Sequence, residues 1–486
     1  MKKAGIGLII MIVVGAGVFF GAQYFTKTGL FKIPGVVSYD ENLPEEVFSK
    51  LRGIFNDEIK LESDVIVGVV DYLEKPELSA GEFLYDIYVP VTDFYSTETD
   101  IEIERPEELF TNCLECPYKT IKISDLDFSK KLLSINNKYY LDEFDSGAVF
   151  RVIKFESDKY EEEIKPLIGE TFVKTFPSKD SVLTFAQTGV TALSRGMNAK
   201  MRQVGNGAYF AEKIAPFLSS FDLTHTSNES SFTDFASSSN ICSDKRFIDT
   251  LTAIGLDIVE LGGNHNRDCG IQAALDSLEM YRERGISIVG GGASATEAAK
   301  PLLINQKGSG ITFLAYNQST GGATYNDTPG ANQYYEENAV AEITAAKERG
   351  DFVIVDIQYY ECNAYASTYE DPICDYPQNV PGDEIGFFRH LIDLGADLVV
   401  GVSAHQPQTF ELYGNGAIYY GLGNLFFDQV WWPGTTRSLV LGHYFYNGKL
   451  LQTKITPTVY DSALQVQVMD EETAKWFLNR LAEARP

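Results

Sequence analysis

The chain has 486 residues, 44% hydrophobic and 22% charged, a composition of globular type that excludes extended disorder. That length exceeds what one ordinary core organises, so two domains with additions are expected. A formal net charge of −28 repels nucleic acid and anionic lipid and excludes DNA or RNA as a partner; a polyanionic ligand would need a local basic spot or a metal.

Lys2 and Lys3 precede an uncharged run, residues 4–22, long enough to cross a bilayer core of about 30 Å. The two lysines favour a cytoplasmic tip (1–3), a membrane anchor over 4–25 and an extracytoplasmic location for the rest. A cleaved signal peptide is the rival reading. The run is long and no small-x-small cleavage site follows it, so an uncleaved anchor is expected. Six cysteines outside the cytoplasm then suggest up to three disulfides. Cys362 with Cys374 closes one loop, and Cys242 with Cys269 ties two neighbouring segments. Cys113 and Cys116 form a C-x-x-C that reads as a loop disulfide, with a redox pair or half a zinc site as alternatives.

Residues 26–40 mix Thr, Gly, Pro and Lys and read as a stalk. A smaller α/β accessory domain is expected over 41–177, with a helix at 45–55 and strands at 65–70, 85–90 and 148–154. Its scattered aromatics read as core, and no constellation in it demands chemistry. Residues 177–180 read as a linker. From 181 to 460 strand and helix patterns alternate, which predicts a layered α/β domain. Strands are expected at 182–186, 222–226, 256–261, 286–289, 311–316, 352–357, 397–400 and 417–420. Helices are expected at 209–215, closed by Pro216, and at 271–285, 339–350 and 384–394; a helix and tail fill 461–486. The glycine run 290–292 imitates a dinucleotide fingerprint, but it lies in mid-domain without a matching acidic strand end and reads as a tight turn.

The most informative stretch is 256–270. An apolar strand ends at Gly262-Gly263 and delivers Asn264, His265 and Asp268 before a helix, the usual place for chemistry in an α/β domain. Asp268 is spaced to orient or polarise the His265 imidazole. The competing reading is a plain helix start, with Asn264 or Asn266 as cap and Asp268 against the dipole. Further polar groups fall at other strand ends: Arg195, Asn228 with Glu229, Gln358 with Glu361, Ser403 with His405, and Asn424. Parallel strands would bring these ends to one edge, and imidazole, carboxylate and amide oxygen together are a ligand set for zinc, manganese or iron.

These residues carry a resemblance. The segment 189–195, Asn228-Glu229, Gly263-Asn264-His265-x-x-Asp268-x-Gly270, residues 290–301, 395–401, His405 and 420–428 resemble the CapA family of capsule and poly-gamma-glutamate synthesis proteins, relatives of calcineurin-like metallophosphatases. The resemblance implies a four-layer α-β-β-α sandwich, an extracytoplasmic place on a membrane anchor, and a role with cell-surface polymer. Departures accompany it. Val190, Gln358 and Ser403 stand where the family carries likely metal ligands, and Glu361 is one position short of the family's glutamate. Two close divalent ions need anionic or imidazole ligands, so Glu229, Asn264, His265 and His405 suffice for one divalent ion at most, and a site with none is the alternative.

Two functions follow. In the first, the protein acts on or organises an anionic surface polymer or its synthesis machinery. A metal-bound water would then attack a phosphoester or amide, with Asp268 orienting His265 and Arg195 holding an anionic group. In the second, the same fold has lost catalysis and is a binding or scaffolding module, using Arg195, Arg267 and aromatics such as Trp431-Trp432, which equally fit a core.

Overall fold

The computed structural model describes residues 23–26, 29–32, 37–39, 49, 65–79, 82–110, 116–156, 174–318, 322, 324, 327–359, 382–430 and 434–486. Two units divide the chain: Met1–Leu126 with Lys130–Lys179, and Asp180–Pro486 with Asp127–Ser129. The expected linker at 177–180 thus falls on their boundary. Residues 4–22 of the expected anchor lie outside the described residues, as do Glu361, Trp431, Trp432, Cys113, Cys362, Cys374 and nearly all of the helix expected at 45–55. Residues 23–25 fall in a strand, Gln23–Thr26, that pairs antiparallel with Gly29–Lys32. Among the described residues no helix is long and apolar enough to cross a membrane.

In the first unit Val149–Glu156 lies antiparallel between Val65–Tyr72 and Glu82–Asp93. Val37–Tyr39, from the expected stalk, adds a parallel edge strand. The described part of this unit is therefore mainly sheet, with one short helix, Tyr140–Glu143. Arg151 holds the sheet face: its guanidinium forks onto Asp71 at 2.7 Å twice and lies 4.8 and 4.6 Å from the Tyr88 and Phe110 rings. Planar charge pairing and ring stacking are what arginine supplies and lysine does not.

The strands of the second unit, in chain order, are β1 (Val182–Ala192), β2 (Leu223–Asn228), β3 (Ile258–Glu260), β4 (Ser287–Val289), β5 (Leu302–Gln306), β6 (Ser309–Asn317), β7 (Phe352–Gln358), β8 (Leu398–Gly401), β9 (Phe410–Tyr413), β10 (Gly416–Tyr419), β11 (Asn424–Phe427), β12 (Arg437–Tyr446), β13 (Lys449–Tyr460) and β14 (Val466–Val468). One sheet runs β4-β3-β2-β1-β12-β13-β14, with β11 also on β1; the other runs β5-β6-β7-β8-β10-β9. β1 to β4 are parallel neighbours, and so are β6, β7, β8 and β10, so each parallel set ends at one edge of its sheet.

Side-chain alternation assigns the layers. On β1 Ala186 faces outward into a cluster with Met197, Met201, Phe210, Leu251, Leu278 and Val259, so the helices Gly196–Val204, Ile248–Ala253 and Ile271–Glu283 cover that sheet. Val353, Val355 and Ile357 of β7 pack with Ile343, Phe388 and Leu391, so Glu336–Glu348 and Glu384–Asp393 cover the other. Between the sheets Phe185 meets Phe313 with centroids 5.2 Å apart, and Phe352 meets Phe445 at 5.0 Å. The order is helix, sheet, sheet, helix.

A polar row crosses that inner layer. Burial pushes His443 down to about 3, helped by nearby His225, so its ring is neutral. Thr453 Oγ1 therefore donates to His443 Nδ1 at 2.9 Å, and His443 Nε2 donates to Gln187 Oε1 at 3.3 Å. Gln187 Nε2 donates to Asp356 Oδ1 at 2.5 Å, and Asp356 Oδ2 stands 3.0 Å from His225 Nε2, with both of those side chains fully buried.

Three sequence expectations change. Pro216 does not close a helix; it sits in the first turn of Ala215–Leu218, where its missing N–H costs nothing, and the preceding expected helix is a 3-10 turn, Tyr209–Ala211. β1 continues six residues beyond the expected strand. The tail after 460 is part of the sheet through β14, which pairs with β13, before the helix Glu471–Glu483.

Gln187 bridges neutral His443 and Asp356, so Gln187→Leu leaves two buried polar partners unmet. It is expected to destabilise the protein by about 2–3 kcal/mol, read as a lower urea midpoint at unchanged slope.

Candidate functional site

The rim at the ends of the parallel strands gathers the residues singled out above. β1 leads through Leu193 and Ser194 to Arg195, whose backbone has φ +44, a region costly for any side-chain-bearing residue. Two contacts hold it there. Arg195 Nε donates to Asp428 Oδ1 at 2.8 Å, and its guanidinium carbon lies 4.7 Å from the Phe427 ring. The other Asp428 oxygen accepts the Gly196 N–H at 2.8 Å, so one carboxylate fixes both the strained residue and the helix start. Asp428 already offsets the Arg195 charge, which weakens the expected role of Arg195 as an anion clamp.

Phe427 also packs His405, with centroids 5.1 Å apart. His405 is 4% exposed, and its Nδ1 lies 3.0 Å from Asn424 Oδ1. Asn424 spends its amide N–H groups on Gln429 Oε1 and the Thr435 carbonyl, so its oxygen accepts the proton on His405 Nδ1.

At the end of β2, Asn228 is a structural residue: its amide donates to the Ser230 carbonyl at 2.8 Å and to the Tyr281 hydroxyl at 2.6 Å. Glu229 is fully buried, and its backbone N–H donates to the Thr191 carbonyl of β1. A Cβ at Gly263 would come within 2.9 Å of Glu229 Cγ, so the second glycine of the Gly262-Gly263 turn is required by this close approach.

The turn after β3 is built by Asn266, whose amide donates to the Leu261 and Gly263 carbonyls at 2.6 and 3.1 Å. Asn264 and Asn266 are not helix caps. The helix begins at Ile271 after Gly270, with no side-chain cap and no acidic residue in its first turn. Asp268 instead accepts the His265 Nδ1 proton at 2.7 Å, in the contact that the three-residue spacing suggested. A Cys242–Cys269 disulfide, among the expected pairings, fastens this turn to the segment before it.

Asn264 meets the neighbouring strand end, where Gln358 Nε2 donates to its Oδ1 at 3.4 Å. From there Tyr359 N–H donates to Ser403 Oγ at 3.1 Å, two residues before His405. Contacts therefore join the strand ends in sequence along the rim.

They do not build the expected metal centre. Among the described residues no three of His, Cys, Asp and Glu stand around one point fit for an ion, so Glu229, Asn264, His265 and His405 are rim neighbours and not a common coordination shell. The amide oxygens of Asn264 and Asn424 already accept hydrogen bonds, and Val190, Gln358 and Ser403 bring no charge. The donor set does not fit a divalent ion. Nor is there room for a polymer unit in the cavity beside the turn, which Asn228, Ser231, Asn266, Ser277 and Tyr281 help to line; its ≈ 20 Å³ suits about one water. Sequence reasoning gave no role to Asp428, His225, Asp356 or His443. A signal existed for Asp356 and His443: each is a polar residue at an inward position of a largely apolar strand, whereas His225 sits in the polar strand Leu223–Asn228.

Asp428→Ala removes the partner of a strained, partly buried arginine and is expected to cost about 2–4 kcal/mol, with the loss read from the urea midpoint of the full chain.

The comparisons with known proteins follow this geometry. The family described as bacterial capsule synthesis protein PGA_cap matches residues 184–429, from β1 to just past Asp428. The PGA biosynthesis protein CapA of Bacillus subtilis is 26% identical over 286 residues, 57% of this chain and 71% of that one. The capsule biosynthesis protein CapA of Bacillus anthracis is 21% identical over 280 residues, 55% of this chain and 65% of that one. A probable polyglutamine synthesis accessory protein of Mycobacterium tuberculosis is 26% identical over 251 residues, 49% and 60% of the two chains. The second and third of these are thus matched over less than two thirds of their own length. With its matched segment covering half of the chain, from β1 through β11, the chain belongs to the bacterial capsule synthesis protein PGA_cap family.

Proposed function

We propose that this protein is a membrane-anchored, extracytoplasmic accessory factor in the synthesis or anchoring of an anionic cell-surface polymer, and that it binds and organises without hydrolysing. The single observation that supports the non-hydrolytic reading is the rim's donor set, in which no three acidic or imidazole groups stand around one point among the described residues. Family membership and the names of the relatives, all concerned with capsule or polymer synthesis, support the biological setting. The uncharged run at 4–22 supports the anchor, with the chain after it outside the cytoplasm.

Charge favours the synthesis machinery over free polymer as the direct partner. A −28 protein repels a polyanion at long range, and the strand-end arginine Arg195 is already engaged by Asp428. His265 with Asp268, Arg267 and the His405 face of the rim are the groups offered to that partner. A catalytic reading with one zinc, manganese or iron ion needs a further ligand beyond those described.

Purified full-length protein is expected to keep its melting temperature after dialysis against EDTA and to release nothing from poly-gamma-glutamate or a phosphodiester with added manganese or zinc. It should co-purify with the membrane-bound polymer synthase, and that association should weaken in His265→Ala. Metal-dependent turnover that disappears in His405→Ala would sink the proposal and restore the hydrolase.

A further inference from the structure

Glu260 ends β3 inside the sandwich, fully buried, on the inward-facing side that also carries His225 and Ser227 of β2. Its Oε1 accepts the Gly262 N–H, while Asn317 Nδ2 of β6 donates to the Gly262 carbonyl at 2.8 Å, so this one peptide is clamped from both sides. The fit leaves no space: a Cβ at Gly262 would collide with Glu260 Oε1, and one at Gly290 would lie 3.2 Å from the same atom. The groups facing the carboxyl are Asp356 from β7, His225 and Ser227 from β2, and the Gly262 N–H. The Gly290 turn approaches with backbone only. Glu260 Oε2 is buried beside Ser227, and Asp356 Oδ2 faces His225 Nε2 at 3.0 Å, so two acids share this inner layer. Two carboxylates cannot both ionise cheaply in such a place.

We propose that Glu260 is a positioning residue of the candidate site: neutral within the sandwich, it fixes the Gly262 turn that presents Asn264, His265 and Asp268, and losing its proton sets a second negative charge against Asp356 directly beneath that turn and displaces it. The inference rests on reading this turn as the functional site. Burial, and then the charge of Asp356, push the carboxyl up to about 7, against 4.5 for an ordinary glutamate. The sign follows from linkage. Below about 4.5 both folded and unfolded chains hold the proton, and the group contributes no pH dependence. Between about 4.5 and 7 only the folded chain holds it, so stability falls as pH rises, and the loss is complete above about 7.

The test uses full-length protein labelled with 15N-glycine. The Gly262 and Gly263 amide resonances are expected to shift in one sigmoidal step near neutral pH and to hold still in Glu260→Gln. Over pH 5.5 to 8 the melting temperature of the native protein should fall by about 3–5 °C relative to that variant. No polymer or partner enters the measurement, so failure of the accessory-factor reading would leave its outcome intact. Should Glu260→Gln not fold, Asp356→Asn removes the facing charge and should move the step toward acid. Absence of the step in the native protein, its persistence in Glu260→Gln, or an unmoved step in Asp356→Asn overturns the proposal.

Discussion

Two sheets facing each other through apolar side chains are free to slide until something directional crosses the gap. Here that is the contact of His225 on β2 with Asp356 on β7, 3.0 Å apart and fully buried, reinforced by the Gln187 hydrogen bond to the same carboxylate. Ring contacts such as Phe185 on Phe313 tolerate small displacements; a buried polar group left without its partner costs about 1–3 kcal/mol. The pair therefore sets the height of one sheet against the other. Its consequence is functional. Glu229 lies four residues beyond His225 and Gln358 two beyond Asp356, so the same register that satisfies the buried charges brings the strand ends to a common rim.

That rim keeps the architecture of a catalytic edge and carries few of the charges that metal chemistry needs. Amides fill the gaps: Gln358 bonds Asn264, and Asn424 bonds His405. Arg195 shows the same economy. Its strained backbone is held by Asp428 and Phe427, and Phe427 in turn packs His405, so the arginine is built into the scaffold of the rim. The interior retains its own chemistry, since Glu260 and Asp356 share a fully buried layer directly beneath the turn that carries His265.

Much of this was legible from local pattern. The apolar run into Gly262-Gly263, the Asp268 spacing from His265 and the Cys242–Cys269 tie all depend on residues close in the chain, where spacing limits geometry. The layered α/β class followed from alternating periods. Long-range pairings were not legible: Asp428 lies 233 residues from Arg195, and no periodicity announces such a partner. The antiparallel pair β12 and β13 was missed because neighbouring polar and apolar positions along it are both buried, which erases the two-residue signal. Whether Glu229, His265 and His405 converge on one ion was not legible either. Sharing an edge fixes where strands end, and says nothing of where three side chains point.

By itself, then, the sequence determined which turns would matter, that they follow strands in an acidic α/β chain, and which family the pattern resembles. Local backbone preference and hydrophobic period are sufficient for those conclusions. The tertiary structure alone decided that Asn264 and Asn266 are not caps, that Arg195 is already paired, and that two histidines, a glutamine and two acids lie buried under the site. Each of those depends on contacts between strands whose register is set by packing and buried charge, which are properties of the whole sandwich and of no single segment.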